Sequence, residues 1–259
     1  MKKIKFVIKR ILKTLGLYKM FLKMNNFVMN SNPKENDDIA TVSDIYPLFV
    51  KKGDTCFDVG ANLGIITDVL LRLGSRVISA EPQISCVKVL KERFASNPDV
   101  VIVDKALGEH EGREEISICE DAPTISTMSN KWRDRGRFSE DYEWEKKQSV
   151  EVTTLDKLIE KYGTPKFCKI DVEGFELQVL KGLSKKIPFI SFEFTKEFFD
   201  DAKACIQHVL TIGSAKFNCT LHDSKNLVFP DWVSSEELIR RLESEKNALF
   251  CGDIYVKMD

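Results

Sequence analysis

A short apolar run at 55–59 ends in a glycine turn that leads straight into a helical pattern, and few folds accommodate that order of elements. Glycines at Gly60 and Gly64 allow left-handed backbone angles and a close approach to a ligand. The free N–H groups at the start of a helix also favour an anionic group. The turn therefore predicts a ligand site at the end of a strand, and tight packing without a ligand is the alternative.

The rest of the chain alternates short apolar runs with longer helical patterns. Apolar runs lie at 76–80, 100–103, 167–171, 189–194, 217–221 and 249–257, and helical patterns lie at 64–73, 83–96, 174–184 and 197–211. Strands that alternate with helices of 10–15 residues indicate parallel pairing and a sheet covered by helices on both faces. We therefore predict one α/β domain.

A carboxylate follows the second predicted strand. Glu81 lies 21 residues after Gly60 and is followed by Pro82. This offset is close to the one at which an acidic residue at the end of a second strand binds ribose hydroxyls. Asp104 and Ala106, after the third strand, are placed to reach an adenine edge. The combination favours an adenosine ligand over the alternative, a solvated acid at a strand end.

Acidic side chains also follow the fourth and fifth strands. Asp171 and Glu173 come after the run at 167–171, and Glu193 ends the next run. In a doubly wound sheet these positions lie beside the first strand, on the ligand-binding edge. A role limited to the charge of a helix start is one alternative. A second is that Asp171 and Glu193 hold a divalent cation.

Five motifs in order resemble the FkbM family of methyltransferases, which use S-adenosylmethionine in a class I fold. They are FDVGANLG at 57–64, AEP at 80–82, ALG at 106–108, VTTLDKL at 152–158 and KIDVEGFELQVLKG at 169–182. The resemblance covers roughly residues 50–195. It implies a Rossmann-like, seven-stranded, mostly parallel sheet whose last strand is antiparallel, with S-adenosylmethionine as the cofactor.

The resemblance also assigns roles to residues of this chain. The turn at Gly60, Asn62 and Gly64 is expected to hold the methionine portion, Glu81 the ribose hydroxyls, and Asp171 and Glu173 to face the methyl group and the acceptor. The full set expected to bind the cofactor is Asp58, Gly60, Asn62, Gly64, Glu81, Pro82, Asp104 and Ala106. No metal site is expected.

The predicted activity is O-methylation of a hydroxyl group on a sugar, a glycan or a similar small hydroxylated acceptor. A methyltransferase-like nucleotide-binding module without turnover is the alternative. An NAD-dependent enzyme is disfavoured because Asn62 stands in the turn where the dinucleotide fingerprint requires glycine.

Residues 119–149 form a polar and aromatic insertion without a clear period, between short strands predicted at 116–118 and 150–153. Its aromatic side chains, among them Trp132, suit a hydroxylated acceptor, and a loop of this length can close over a site. A plain solvated excursion is an equal alternative. Within the insertion, only Ser126 corresponds to a serine of the family.

The amino-terminal segment differs from the rest of the chain in charge. Residues 1–34 carry nine Lys and Arg and no acid, although the net charge of all 259 residues is −1. Apolar residues spaced three and four apart predict a basic amphipathic helix at 1–31. This helix either packs on the domain, which we place at 38–259, or contacts an anionic membrane peripherally through residues 1–24.

Overall charge and cysteine content bear on the class of acceptor and on the cellular compartment. A near-neutral chain argues against binding nucleic acid over its whole surface, so the acceptor is expected to be a small molecule or a glycan, with no nucleic-acid partner. Seven scattered cysteines, an odd number without a C-x-x-C pair, favour a reducing compartment. We therefore expect a cytoplasmic protein, with the inner membrane face as its place of peripheral contact.

Overall fold

The computed structural model describes residues 45–259 except 222, 223, 225, 248 and 249. The basic helix predicted at 1–31, with its membrane contact through 1–24, lies outside the described residues. The predicted domain boundary at residue 38 also lies outside them and stays a prediction. The helices that the structure describes include none with the length and apolar character needed to cross a membrane.

Within the described residues, ten strands form two sheets. Their bounds are β1 (Thr55–Val59), β2 (Arg76–Ala80), β3 (Val100–Val103), β4 (Ala106–Leu107), β5 (Gly112–Ile118), β6 (Lys146–Thr153), β7 (Phe167–Ile170), β8 (Phe189–Thr195), β9 (Ala215–Cys219) and β10 (Cys251–Met258). The larger sheet has the order β3-β2-β1-β7-β8-β10-β9. All its neighbours are parallel except β10, which is antiparallel to both β8 and β9. This confirms the predicted Rossmann-like sheet and its antiparallel last strand.

The central strands are buried because helices cover the sheet. Phe57, Ile170 and Phe192, from β1, β7 and β8, have no exposed surface. Strands that are buried on both faces consist of nearly continuous apolar runs, and this is why they were visible in the sequence. The carboxyl ends of these parallel strands meet at one edge of the sheet, where the candidate site lies.

Seven α-helices accompany these strands in the part of the chain that the structure describes. They are α1 (Ile65–Arg72), α2 (Ile84–Arg93), α3 (Asn130–Arg135), α4 (Leu155–Tyr162), α5 (Glu176–Lys181), α6 (Phe199–Ile212) and α7 (Ser235–Glu243), with 3₁₀ helices at Tyr46–Leu48, Pro123–Ile125 and Lys196–Phe198. Helix α4 was not predicted, although its signal is present. Thr154 caps it by accepting from the Lys157 N–H, and Leu155, Leu158 and Ile159 form its buried face.

The insertion at 119–149 connects β5 and β6 of the smaller sheet. The order of this sheet is β4-β6-β5, and β5 and β6 are longer than the strands predicted at 116–118 and 150–153. Residues 119–149 are not a plain solvated loop, because they contain α3 and pack against the 3₁₀ helix Lys196–Phe198 that follows β8. The ring of Trp132 lies 5.8 Å from that of Phe198, and the Arg137 guanidinium donates two hydrogen bonds to the Glu197 carboxylate.

Candidate functional site

The turn after β1 has a backbone that only certain residues can adopt. Gly60 and Gly64 have φ angles of +83°, and Asn62 has a φ of +48°. Asparagine tolerates this left-handed region better than most residues. At Gly60 a Cβ atom would lie 1.8 Å from the carbonyl oxygen of Asp171, so a side chain is excluded there. The turn after β1 is thus held directly against the backbone that follows β7.

Glu81 joins the turns after β1 and β2. Its Oε2 accepts from the Asn62 N–H and its Oε1 from the Gln83 N–H, each at 2.8 Å. The side chain is buried, and burial raises the pKa of the Glu81 carboxyl to about 7, although the two backbone hydrogen bonds oppose that rise. Each carboxylate oxygen has a second lone pair for a ligand hydroxyl.

A cavity at the ends of β1, β2 and β7 lies next to both turns, and we call it the first cavity. Residues of its wall include Gly60, Asn62, Glu81, Pro82, Ala106, Asp171 and Glu173. Most of the residues expected to bind the cofactor therefore line one space, together with both of the expected catalytic acids.

Three residues expected to bind the cofactor do not line the first cavity. Asp58 is buried beneath it, accepts from the Thr67 hydroxyl at 2.6 Å, and has its pKa raised to about 6 by burial. Gly64 packs against α2. Asp104 is exposed, and its carboxylate pairs with Lys91 at 3.1 Å. The structure does not bring these three residues to the ligand-facing wall.

Gln83 lines the first cavity and was not anticipated from the sequence. Its Nε2 donates to the carbonyl oxygen of Pro123 at 3.1 Å. A carbonyl can only accept, so this bond fixes which end of the amide is the oxygen. The Gln83 Oε1 is buried without a hydrogen-bond partner among the described residues. An orphaned acceptor in the wall fits a ligand that carries N–H or O–H donors, such as an adenosine.

Further residues of the wall come from the insertion and from neighbouring loops. Ser126 lines the cavity while its Oγ accepts from the Cys119 N–H. Lys105, Thr127 and Phe175 line it as well. Lys105 and Phe175 lie in the turns after β3 and β7, close to the predicted Ala106 and Glu173. Thr127 belongs to the insertion, and the sequence carries no local signal for how the insertion folds back.

Three carboxylates converge beside the first cavity. Carboxylate oxygens of Asp171, Glu173 and Glu193 lie within 4.8 Å of one another, the geometry of a group that could hold a metal ion. The Lys169 ammonium is buried and pairs with Asp171 at 3.2 Å and with Asp253 at 2.9 Å. One buried cation therefore compensates only part of the negative charge of this cluster, which we call the acid cluster.

Two members of the acid cluster favour the protonated form. Burial raises the pKa of the Glu173 carboxyl well above its usual range, and the nearby charges of Glu193 and Asp171 add to the effect. Burial and the charge of Asp171 raise the pKa of Glu193 in the same way. Among the residues that the structure describes, neither carboxyl group has a hydrogen bond or an ion pair. Each of these carboxyl groups therefore holds a proton more tightly than a carboxyl group in water does.

The turn that carries Glu173 is supported from two sides. Glu173 has a φ of +55°, a strained angle for a residue of its type. The Glu176 Oε1 accepts from the backbone N–H groups of Val172 and Gly174, at 3.1 and 3.2 Å. The Thr127 hydroxyl, from the insertion, donates to the Glu173 carbonyl at 2.7 Å. These bonds hold the acid in place.

The known proteins that resemble this chain match it over different lengths. It is 33% identical over 72 residues to a chloroplastic ribosomal RNA small subunit methyltransferase of Arabidopsis thaliana. That match covers 28% of this chain and 19% of the relative, so the chain spans about a fifth of the relative's length.

Solved structures match the chain at low identity and low TM-score. A TehB-like SAM-dependent methyltransferase from Corynebacterium glutamicum is 12% identical with a TM-score of 0.46, over 92% of this chain and 96% of that one. A protein from Streptococcus mutans, described as a methyltransferase in complex with SAH, is 11% identical with a TM-score of 0.41, over 88% and 99%.

The expectation that nucleic acid is excluded as a partner is wrong. The curated relative that matches this chain is named as a ribosomal RNA methyltransferase. The expectation rested on a near-neutral net charge, and net charge reports on non-specific attraction over a whole surface rather than on what a single cavity accepts.

The family itself follows from a longer match. Residues 58–219 fit the family model described as the methyltransferase FkbM domain. This span exceeds half of the chain and contains the glycine turn after β1, Glu81 and the acid cluster. The chain belongs to the FkbM family of methyltransferases, and S-adenosylmethionine is its cofactor.

Proposed function

We propose that this chain transfers a methyl group to a hydroxyl oxygen of a sugar, a glycan or a similar small hydroxylated acceptor. One observation carries the proposal: the carboxylates of Asp171 and Glu173 line the same cavity as the glycine turn and Glu81. A hydroxyl oxygen becomes a good nucleophile only when its proton is taken up, and carboxylates at this edge of the sheet can accept it.

Residues of the first cavity would hold the cofactor in parts. The turn at Gly60 and Asn62 would bind the amino-acid end, Glu81 would accept from the ribose hydroxyls, and the Gln83 Oε1 would accept from another donor of the adenosine. When bound, S-adenosylmethionine supplies a methyl carbon that joins the acceptor oxygen as the carbon–sulfur bond breaks, with its electron pair left on sulfur. The protein's main contribution is to align the acceptor, which can supply about 7–11 kcal/mol.

We assign the proton-accepting role to Asp171. Its carboxylate already receives a hydrogen bond from the Lys169 ammonium at 3.2 Å, which supports a negative charge at this position. Glu173 is its neighbour in the same wall and is the second candidate for the role. A correctly placed general base contributes about 10²–10⁴-fold to the rate.

An RNA acceptor is the second candidate, and a specific observation favours it. The chain matches a ribosomal RNA methyltransferase over 72 residues, and the name of that curated protein states a substrate class. An RNA substrate would also offer hydroxyl groups, through its ribose units, so the role of Asp171 would be the same.

Two substitutions separate the cofactor role from the catalytic role. Glu81→Ala should weaken cofactor binding by about 1.5–3 kcal/mol, the scale of a hydrogen bond to a charged group. Asp171→Asn should reduce turnover about 10²-fold or more and leave the dissociation constant of the cofactor nearly unchanged. Calorimetry measures the first quantity, and transfer of a labelled methyl group to hydroxylated acceptors and to RNA measures the second.

Asp104→Asn is the matched control, because Asp104 is an acidic residue after a neighbouring strand whose side chain faces Lys91 instead of the cavity. Wild-type turnover in Asp171→Asn would remove Asp171 as the base. Cofactor binding by the wild-type chain without methylation of any acceptor would support the alternative of a binding module without turnover.

A further inference from the structure

A second cavity of about 340 Å³ lies between the insertion and α6. Trp132 from α3, Gly174, Glu193 from β8 and Phe198 are in its wall, and Met128 and Phe175 line both this cavity and the first. Its volume falls in the range of small-molecule sites. We call it the second cavity.

Two polar groups in the wall of the second cavity lack partners. Trp132 is 3% exposed, and its indole Nε1 is buried without a hydrogen-bond partner among the described residues. The Glu193 carboxyl likewise has no hydrogen bond or ion pair within the described part of the chain. Buried polar groups are nearly always satisfied, and the buried indole N–H of Trp132 is an exception. The Glu193 carboxyl is partly exposed, so the two residues together supply a donor and an acceptor that a ligand in this cavity could engage.

The chemistry of these two groups is complementary. An indole N–H can only donate, and a carboxylate oxygen accepts. A hydroxyl group can do both, since it carries one donor and two acceptor lone pairs. One charged pair in the wall is already matched, because the Lys131 ammonium lies 2.6 Å from the Asp201 carboxylate. The open groups of the second cavity therefore suit hydroxyls.

The charge of the surroundings limits the ligand further. Oxygens of Glu193 lie within 4.8 Å of those of Asp171 and Glu173, and Lys169 compensates only part of this negative charge. A phosphate or a carboxylate next to the acid cluster would be repelled. The rings of Trp132 and Phe198 offer apolar faces to the C–H groups of a neutral ligand.

We propose that the second cavity binds the methyl acceptor, that this acceptor is a neutral sugar, and that Trp132 and Glu193 determine its recognition. This inference rests on the proposed O-methyl transfer and deepens it. The acid cluster forms the link between the two cavities: Asp171 and Glu173 belong to the wall of the first, and Glu193 to that of the second. A sugar hydroxyl held at Glu193 lies next to the carboxylates that face the cofactor site.

The first test observes the indole directly. The full chain, labelled with ¹⁵N at tryptophan and saturated with S-adenosylhomocysteine, is titrated with the methyl glycosides of glucose, mannose, galactose and rhamnose. The Trp132→Phe variant identifies the Trp132 resonance by its loss. We expect the Trp132 Nε1–H resonance to shift saturably. Trp144 is the internal control and should not shift, because its Nε1 already donates to the Ile125 carbonyl at 2.8 Å.

The second test measures labelled methyl transfer from S-adenosylmethionine to the same glycosides. Trp132→Phe keeps an aromatic ring and loses one hydrogen bond, so KM for the acceptor should rise about 3- to 10-fold. Glu193→Gln should raise KM similarly. This variant provides the test if Trp132→Phe does not fold. Trp144→Phe is the matched control, with an unchanged KM. The dissociation constant of S-adenosylmethionine should be unchanged in all three variants.

Other outcomes overturn the inference. An unmoved Trp132 resonance, or glycosides methylated with the same KM by the wild type and by both variants, would place the acceptor elsewhere. Methylation of sugar phosphates or of an RNA oligonucleotide, with no response to the neutral glycosides, would refute the acceptor class and leave methyl transfer standing. Failure of the wild-type chain to bind S-adenosylmethionine would instead count against the proposed function.

Discussion

Replacing Glu176 by glutamine should stabilise the protein at alkaline pH and leave it unchanged in acid. Both hydrogen bonds that Glu176 accepts, from Val172 and Gly174, end on Oε1. A glutamine can keep both through its amide oxygen and removes the charge. Burial raises the pKa of Glu176 from 4.5 to about 7, so the folded chain holds a proton here that the unfolded chain releases.

The sign and the size follow from this pKa. A raised folded-state pKa means that stability from this group is fully present below pH 4.5 and is lost as the pH rises through about 7. At about 1.4 kcal/mol for each unit of pKa, ionising Glu176 in the folded state costs roughly 3 kcal/mol above pH 7. Asp58 and Glu81 also have raised pKa values, so the wild type should lose more in total.

Urea denaturation of the cofactor-free chain at pH 5 and pH 8 measures the effect. The free energy of unfolding of Glu176→Gln should exceed that of the wild type by up to roughly 3 kcal/mol at pH 8, and by less than about 1 kcal/mol at pH 5. Glu140→Gln, at an exposed position, is the control and should show no such difference. An equal or lower stability of Glu176→Gln at pH 8 would refute the reasoning.

Two further substitutions test the first cavity. Gly60→Ala places a Cβ atom against the Asp171 carbonyl and should destabilise the fold well beyond Gly53→Ala, which shares a positive φ but has open space and should lose only about 1–2 kcal/mol; similar melting temperatures for the two would contradict the contact. Gln83→Leu removes the orphaned acceptor and should weaken S-adenosylmethionine binding by about 0.5–1.5 kcal/mol, so an unchanged dissociation constant in calorimetry would show that the Gln83 Oε1 does not contact the cofactor.

The parts of the fold that could be predicted are those with local signals. The strands around Phe57 and Ile170 are mostly apolar, and glycine or acidic residues mark where each ends. Glu81 could be predicted as a member of the ligand-facing wall because parallel strands bring their carboxyl ends to one edge. Predicting its place in that wall required only the order of the strands in the sheet.

The parts that could not be predicted depend on contacts between distant segments. Asp104 faces outward because Lys91, on a different element, pairs with it. Trp132 and Glu193 share a cavity only because α3 folds onto the start of α6. The orphaned oxygen of Gln83 follows from a hydrogen bond to Pro123, 40 residues away. The periodicity of a short stretch of sequence gives no information about partners so far away in the chain.

The contact between Gly60 and the Asp171 carbonyl has a consequence for the design of new specificities. The turn that would carry the methyl donor and the turn that bears the acids touch through backbone atoms, so their relative position does not depend on any exchangeable side chain. The recognition residue Trp132, by contrast, sits on a separate insertion. Substitutions in the insertion could therefore admit a different acceptor without changing the distance between the methyl donor and the proposed base.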